Sequence, residues 1–380
     1  PEELAKIAPL ADESVVSLEG VVRAEPQAPG GFELHEVRIH VLSPLEEPPP
    51  FELNKRVLKP SLEVFLDHSP VGLRHPLKRA TFRLSSGIMH AFRNHLSAQG
   101  FTEIQTPKIV ATATEGGANV DYLGRTAYLA QSPQLYKQIM VGVFERVFEV
   151  GPVFRAEPHN TARHLNEYVS LDAEMGFIHD HHSVMNVLTG TIGAIIQHLG
   201  DSHPAELEEL GAELPHVPDA IPSLYFPDAL ALIHEATGRD VRGEPDLAPE
   251  DERWLSAWAQ AEHGSDFLYV TGFPMAKRPF YTHPNPADPD YSNSFDLLFR
   301  GTELVTGGQR LHRYEDYLIA LEARGLEPAT FHGYLEAFRH GMPPHGGFAI
   351  GLERFLMQLL GLANIRETTL FPRDLTRLLP

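Results

Sequence analysis

The stretch Phe154-Arg155-Ala156-Glu157-Pro158-His159-Asn160-Thr161-Ala162-Arg163-His164-Leu165-Asn166-Glu167, followed at once by Tyr168-Val169-Ser170-Leu171-Asp172-Ala173-Glu174-Met175, decides how this chain folds. It reads as strand, polar loop, strand. The period of two along a strand puts Arg155 and Glu157 on one face. It also divides the second strand, with Val169, Leu171, Ala173 and Met175 behind and Tyr168, Ser170, Asp172 and Glu174 in front. An acidic front over an apolar back can floor a polar pocket, or it can be a solvated surface. Arg155 carries a planar fork of donors that matches the geometry of a phosphate.

Other stretches carry chemistry of a related kind. Gly346-Gly347-Phe348-Ala349-Ile350-Gly351-Leu352-Glu353-Arg354 reads as a strand running into a helix at Gly351. Leu352, Phe355, Leu356, Leu359 and Leu360 form the apolar stripe of that helix. Arg354 lies about 200° around the helix from Leu352, off the stripe. A glycine-rich turn before a helix is common, so this stretch alone specifies little. Upstream, Leu84, Ile88, Ala91, Phe92 and Leu96 fall at helical spacing, Gly100 supplies a C-terminal cap, and Phe101 to Pro107 continue as a strand. The run Gln131-Ser132-Pro133-Gln134-Leu135-Tyr136-Lys137 completes the set.

In this order, these stretches resemble the catalytic domain of class II aminoacyl-tRNA synthetases, and within them the archaeal-type aspartyl-tRNA synthetases, over roughly residues 75 to 380. The resemblance implies an α+β fold, an antiparallel sheet flanked by helices, preceded by an N-terminal OB-fold β-barrel that binds the anticodon. It implies ATP and L-aspartate as substrates, Mg2+ as cofactor, tRNA-Asp and possible charging of tRNA-Asn as well, and a homodimer with Pro107 at its interface. It assigns Arg155 and Arg354 to catalysis on the ATP phosphates. Glu157, Arg163, His164, Leu165, Glu303, Gly351, Leu352 and Glu353 join them around ATP. Lys137 and Arg310 match the cationic pair for the aspartate side chain. Glu115, supported by Asp172, matches an acid on its ammonium group, with Gln134, Arg155 and Thr306 nearby. Glu303 and Thr306 match the magnesium site, where the family more often has serine; threonine keeps the hydroxyl. The segment Ala118-Asn119-Val120-Asp121-Tyr122 is about two or three residues shorter than the family's loop over bound aspartate.

The domains expected are a partial OB-fold over 1–45, a linker over 46–75 stiffened by Pro48-Pro49-Pro50, and a catalytic domain over 76–380 with a helical insertion at about 180–265. Strands at 14–24 and 32–41, around a turn at Pro26 to Gly31, are too few to close a barrel, which needs five. The chain begins at Pro1, so the first part of the barrel is expected to be missing from it. Trp254 and Trp258, at i and i+4, are read as core.

Bulk properties limit the alternatives. Of 380 residues, 51 are acidic and 31 basic, a net charge of -20, which speaks against nucleic acid unless a local basic groove is present. There is no cysteine, which excludes disulfides and thiol chemistry and fits a cytoplasmic location. The longest apolar run, Val187 to Ile196, is too short to span a membrane. The run His179-Asp180-His181-His182 is read as the polar start of a helix, because contiguous residues rarely converge on one ion. Three rivals remain. An asparaginyl enzyme would lack a lysine at position 137. An asparagine synthetase of this fold would lack the anticodon barrel. A non-catalytic paralogue would have lost Arg155, Glu303 or Arg354.

Overall fold

The computed structural model describes residues 2–111, 118–156 and 161–379. The chain divides into two compact units, Pro1–His75 and Pro76–Pro380.

In the first unit, helix α1 (Glu2–Ile7) precedes an antiparallel hairpin of β1 (Val15–Ala24) and β2 (Phe32–Ser43). Gly30 and Gly31 turn the hairpin with φ of +82° and +78°, a conformation glycine adopts without steric cost. A half-buried second strand is expected from its alternation, yet only Ile39 is buried in it. A two-stranded ladder covers neither of its faces, so Leu18, Val22, Phe32 and Leu42 stay exposed. Two short helices, α2 (Leu62–Asp67) and α3 (Ser69–Gly72), close the unit, with the Ser61 hydroxyl capping α2 by accepting from Val64 N.

The second unit opens with α4 (Pro76–Ala98), β3 (Thr102–Glu103), β4 (Ile109–Val110), β5 (Asn119–Tyr122), β6 (Arg125–Leu129), α5 (Gln134–Phe144), β7 (Arg146–Phe154) and β8 (Glu167–Gly176). Next come α6 (His181–Ser202), α7 (Pro204–Leu210), β9 (Ser223–Tyr225), α8 (Phe226–Thr237), α9 (Pro249–His263), β10 (Phe267–Thr271), β11 (Pro284–Asn285) and β12 (Asp288–Ser292). The chain ends with β13 (Ser294–Phe299), β14 (Thr302–Arg310), α10 (Tyr314–Glu322), α11 (His332–Arg339), β15 (His345–Gly351) and α12 (Leu352–Leu359).

Eight strands form the central sheet in the order β3-β7-β8-β15-β14-β13-β10-β9. The six inner strands are antiparallel and the two edge strands pair parallel to their neighbours, so the sheet is mixed at its margins. One face of the sheet packs on helices. Leu84, Ile88, Ala91, Phe92 and Leu96 of α4 are all buried against Leu171, Ala173 and Met175 of β8 and Phe348 and Ile350 of β15, with α6 and α12 completing the same core. Each large apolar side chain sealed there contributes roughly 1.5–3 kcal/mol. Gly100, at φ +81°, ends the α4 segment as a left-handed cap.

Within residues 180–265, α6 lies in this main core, while α8 and α9 build a second core against β10 and β13, on which Trp254 and Trp258 pack half-buried. A third, aromatic core joins α10 and α11 through Tyr317, Tyr334 and Phe338. With helices on one face, the polar face of the inner strands is left to line cavities.

Candidate functional site

The front of β8 meets charge. Asp172 and Glu174 are buried, and so are the two cations opposite them. Lys137 Nζ donates to Asp172 Oδ1 at 2.9 Å and to the Phe348 carbonyl at 3.2 Å, and lies 3.3 Å from Glu174 Oε2. Arg310 Nε donates to Glu174 Oε1 at 2.9 Å, and its Nη2 donates to the Gly347 carbonyl at 3.0 Å. Burial would raise the Glu174 carboxyl, but Arg310 and Lys137 outweigh it and hold it below the usual range. The solvated-surface reading of this strand is therefore excluded.

Two neighbouring glycines make the arrangement possible. A Cβ on Gly347 would stand 2.1 Å from Glu174 Oε2, and one on Gly346 would stand 2.6 Å from the Gly308 carbonyl. Gly347 thus lets the Glu174 carboxylate sit against the backbone of β15, and Gly346 lets the backbone of β14 approach it.

Above the charged floor is a cavity of about 370 Å³, lined by Gln134, Lys137, Arg278, Tyr281, Ser294 and Arg310 among others. A second cavity, of about 270 Å³, lies beside it over Arg163, His164, Leu165, Tyr168, Gly351 and Arg354. Arg155, Glu303, Thr306 and Ala349 line both, so the two hollows share a wall. The Arg155 guanidinium carbon lies 5.8 Å from the centre of the Tyr168 ring. Arg354, half-exposed, donates from Nη1 to the Glu303 carbonyl at 2.8 Å.

Glu303 reaches this wall because β14 is irregular. Thr306 pairs with Asp296 and Val305 with Leu297, but Leu298 pairs with Glu303, leaving Leu304 as an extra residue. Such a bulge re-aims side chains. It brings Glu303 to the side of Thr306, whose hydroxyl donates to Glu303 Oε1 at 3.1 Å. Two further acids stand close. Glu252, from α9, is pushed up to about 7 by burial and by the Glu303 charge. Asp296 is also pushed up to about 7, mainly by burial, despite its ion pair with Arg278 at 3.0 Å. Clustered carboxylate and hydroxyl oxygens are the donor set of a hard divalent cation.

Of the residues expected at the site, Gln134, Lys137, Arg155, Arg163, His164, Leu165, Thr306, Arg310, Glu303, Gly351, Glu353 and Arg354 border these two cavities. Asp172 lies beneath the first, engaged with Lys137 and with the Ser170 hydroxyl. Leu352 is buried in the main core. Glu353 spends its carboxylate on the backbone, both oxygens accepting from Val169 N at 3.0 and 3.1 Å. Pro107 is exposed. Glu115 and Glu157 lie outside the described residues. Within the fold, Asp172 pairs with Lys137 and Glu174 with Arg310. Sequence reasoning missed Glu174, Tyr168, Arg278, Asp296 and Glu252. Alternation already placed Tyr168 and Glu174 on the front face; no local signal marks the other three.

Glu353 carries a pH dependence. Burial pushes its carboxyl up to about 7, well above the 4.5 expected of an unperturbed glutamate. The folded state therefore holds this proton more tightly, and its contribution to stability, up to about 3 kcal/mol, is full below pH 4.5 and lost as pH rises through 7. Glu353→Gln should melt higher than the parent at pH 8 and converge with it near pH 5, in thermal unfolding followed by circular dichroism.

Comparison with known proteins places the sequence and the fold in one family. Residues 61–375 match the family model of class II tRNA synthetases (D, K and N). An aspartate–tRNA(Asp/Asn) ligase of Deinococcus radiodurans is 50% identical over 380 residues, covering 98% of this chain and 87% of that protein. Among solved structures, an aspartyl-tRNA synthetase from Entamoeba histolytica superposes with a TM-score of 0.86 at 35% identity, covering 98% of this chain and 80% of the other. The asparaginyl-tRNA synthetase of Pyrococcus horikoshii, complexed with asparaginyl-adenylate, gives 0.92 at 30% identity, covering 100% and 87%. The chain belongs to the class II tRNA synthetases of the D, K and N group.

Proposed function

We propose, for this member of the class II tRNA synthetases, that the chain is an aspartate–tRNA ligase, which activates L-aspartate with ATP and transfers it to tRNA-Asp and also to tRNA-Asn. The observation that carries the choice of amino acid is the Lys137–Asp172–Glu174–Arg310 array beside a cavity that shares its wall with a second one. The fold does not choose, since aspartyl and asparaginyl enzymes superpose on the chain alike. A lysine at position 137 favours the aspartyl reading, because a carboxylate gains more from a buried ammonium than an uncharged amide does.

The first cavity takes aspartate and the second takes ATP, over Arg163, His164, Leu165, Gly351 and Arg354. Lys137 is engaged three ways by the fold. In Arg310, Nε and Nη2 are engaged, and no partner for Nη1 occurs among the described residues. Arg310 is thus the cation with a donor to spare for the aspartate side chain, and Lys137 becomes available as Asp172 turns to the substrate's ammonium group. Arg155, on the shared wall, contacts the α-phosphate. An oxygen of the aspartate α-carboxylate attacks the α-phosphorus, the bond to pyrophosphate breaks, and aspartyl-adenylate remains. The terminal ribose hydroxyl of the tRNA then attacks the aspartyl carbonyl and releases AMP. No protein nucleophile is required; positioning and charge carry the rate. The residues fit Mg2+, with Glu303 and Thr306 as its holders beside Asp296 and Glu252. An ion held there would supply positive charge against the phosphates.

Residues 1–45 are assigned to the anticodon-binding barrel, and the reaction to the cytoplasm. The experiment is charging of purified tRNA-Asp and tRNA-Asn with labelled aspartate. Both should be acylated; charging of neither would remove the proposal, and charging of tRNA-Asp alone would restrict it. Pro107, exposed after β3, is read as part of the subunit interface, and twofold pairing is the commonest closed symmetry. Sedimentation at micromolar concentration should give twice the 42.3 kDa chain mass, and a monomer would sink the dimer.

A further inference from the structure

Behind the amino-acid cavity, the aromatic core contains a buried network of uncharged polar side chains. Gln138 is fully buried one helical turn from Gln134, and Tyr317, Tyr334 and His345 converge on it from α10, α11 and β15. Polar groups cost stability in such a core unless fully paired, so their presence asks for a reason.

The hydrogen bonds have a direction that can be worked out from both ends. His345 Nδ1 faces the Pro343 carbonyl at 2.9 Å, and a carbonyl can only accept, so Nδ1 carries the proton. Burial holds the imidazole down at about 4, so the ring is neutral and Nε2 must accept. Its partner at 3.0 Å is therefore the Gln138 amide nitrogen. From the other end, the Tyr317 hydroxyl donates to the Leu311 carbonyl at 2.8 Å, so its oxygen accepts from Gln138 Nε2 at 3.1 Å. Both ends force one orientation of the Gln138 amide. Its Oε1 is left to accept, from Gln134 Nε2 at 3.0 Å and from the Tyr334 hydroxyl at 3.1 Å, whose single proton is shared with the Tyr317 oxygen at 2.8 Å. Gln134 thus uses its nitrogen inward, and its carbonyl oxygen is the atom left for the cavities that it lines, the amino-acid cavity among them.

We propose that Gln138 and His345 are positioning residues for amino-acid recognition, holding the Gln134 amide with its carbonyl outward as a hydrogen-bond acceptor for the substrate's α-ammonium group. The inference rests on the aspartate reading of the cavity. A carbonyl repels carboxylate and attracts ammonium, so the network selects an amino acid over a simple dicarboxylate.

Succinate has the two carboxylates of aspartate and no ammonium group, and so isolates the effect. In pyrophosphate exchange, Gln138→Met should raise the KM for aspartate about tenfold or more, the effect of one hydrogen bond to a charged group. The inhibition constant of succinate and the KM for ATP should stay within about twofold. Equal weakening of aspartate and succinate, or no change for aspartate, would overturn the proposal. If Gln138→Met does not fold, Tyr334→Phe removes a single hydroxyl from the same network. It should weaken aspartate selectively by about two- to threefold, and equal effects on both ligands would again overturn the proposal. Absence of aspartate-dependent exchange in the wild type would remove the functional reading itself, a result distinct from parallel weakening in the variants.

Discussion

Arg155→Ala is expected to lower aspartate-dependent pyrophosphate exchange by roughly 100- to 1,000-fold or more, the cost of losing a preorganised donor to developing charge. Arg155 lines both cavities, so it stands where the α-carboxylate and the α-phosphate would meet. The loss should fall chiefly on kcat, with the KM values for ATP and aspartate changing less, because the contact strengthens as charge builds. Lysine at this position should restore little, since it lacks the planar fork. Activity within a few-fold of the parent would remove Arg155 from the mechanism.

Lys137→Met is expected to collapse the preference for aspartate over asparagine. The parent should favour aspartate by at least about a hundredfold in kcat/KM, or roughly 3 kcal/mol at 1.4 kcal/mol per decade. The substitution removes a buried ammonium that serves Asp172 and Glu174 at once. Asp172 then loses the cation it pairs with while Glu174 keeps Arg310, and breaking a buried pair of this kind costs about 3–5 kcal/mol. Aspartate affinity should fall steeply and asparagine far less, while the melting temperature also drops. Adding Asp172→Asn should recover part of the stability without recovering the preference, which separates substrate recognition from folding. An unchanged ratio in Lys137→Met would reopen the asparaginyl reading.

Period-two and period-3.6 patterns were legible wherever one face of an element is buried. The Leu171, Ala173 and Met175 face of β8 and the Leu84-to-Leu96 stripe of α4 both lie in the main core. Arg354 lies off the apolar stripe of α12 and lines a cavity. What escaped depends on long-range or irregular geometry. Glu252 and Asp296 arrive from α9 and β13 with no motif around them. The bulge at Leu304, which aims Glu303, breaks the alternation from which facing is read. The neutralisation of Lys137 was also hidden, because spacing along the chain does not say which acid on a facing strand a buried lysine will meet.

The exchange of labelled pyrophosphate into ATP, run with each amino acid separately on the wild-type chain, tests the central claim most directly. Exchange that depends on aspartate, with asparagine at least about a hundredfold weaker in kcat/KM, is the expected result. Exchange driven as well or better by asparagine, or by no amino acid, would contradict it.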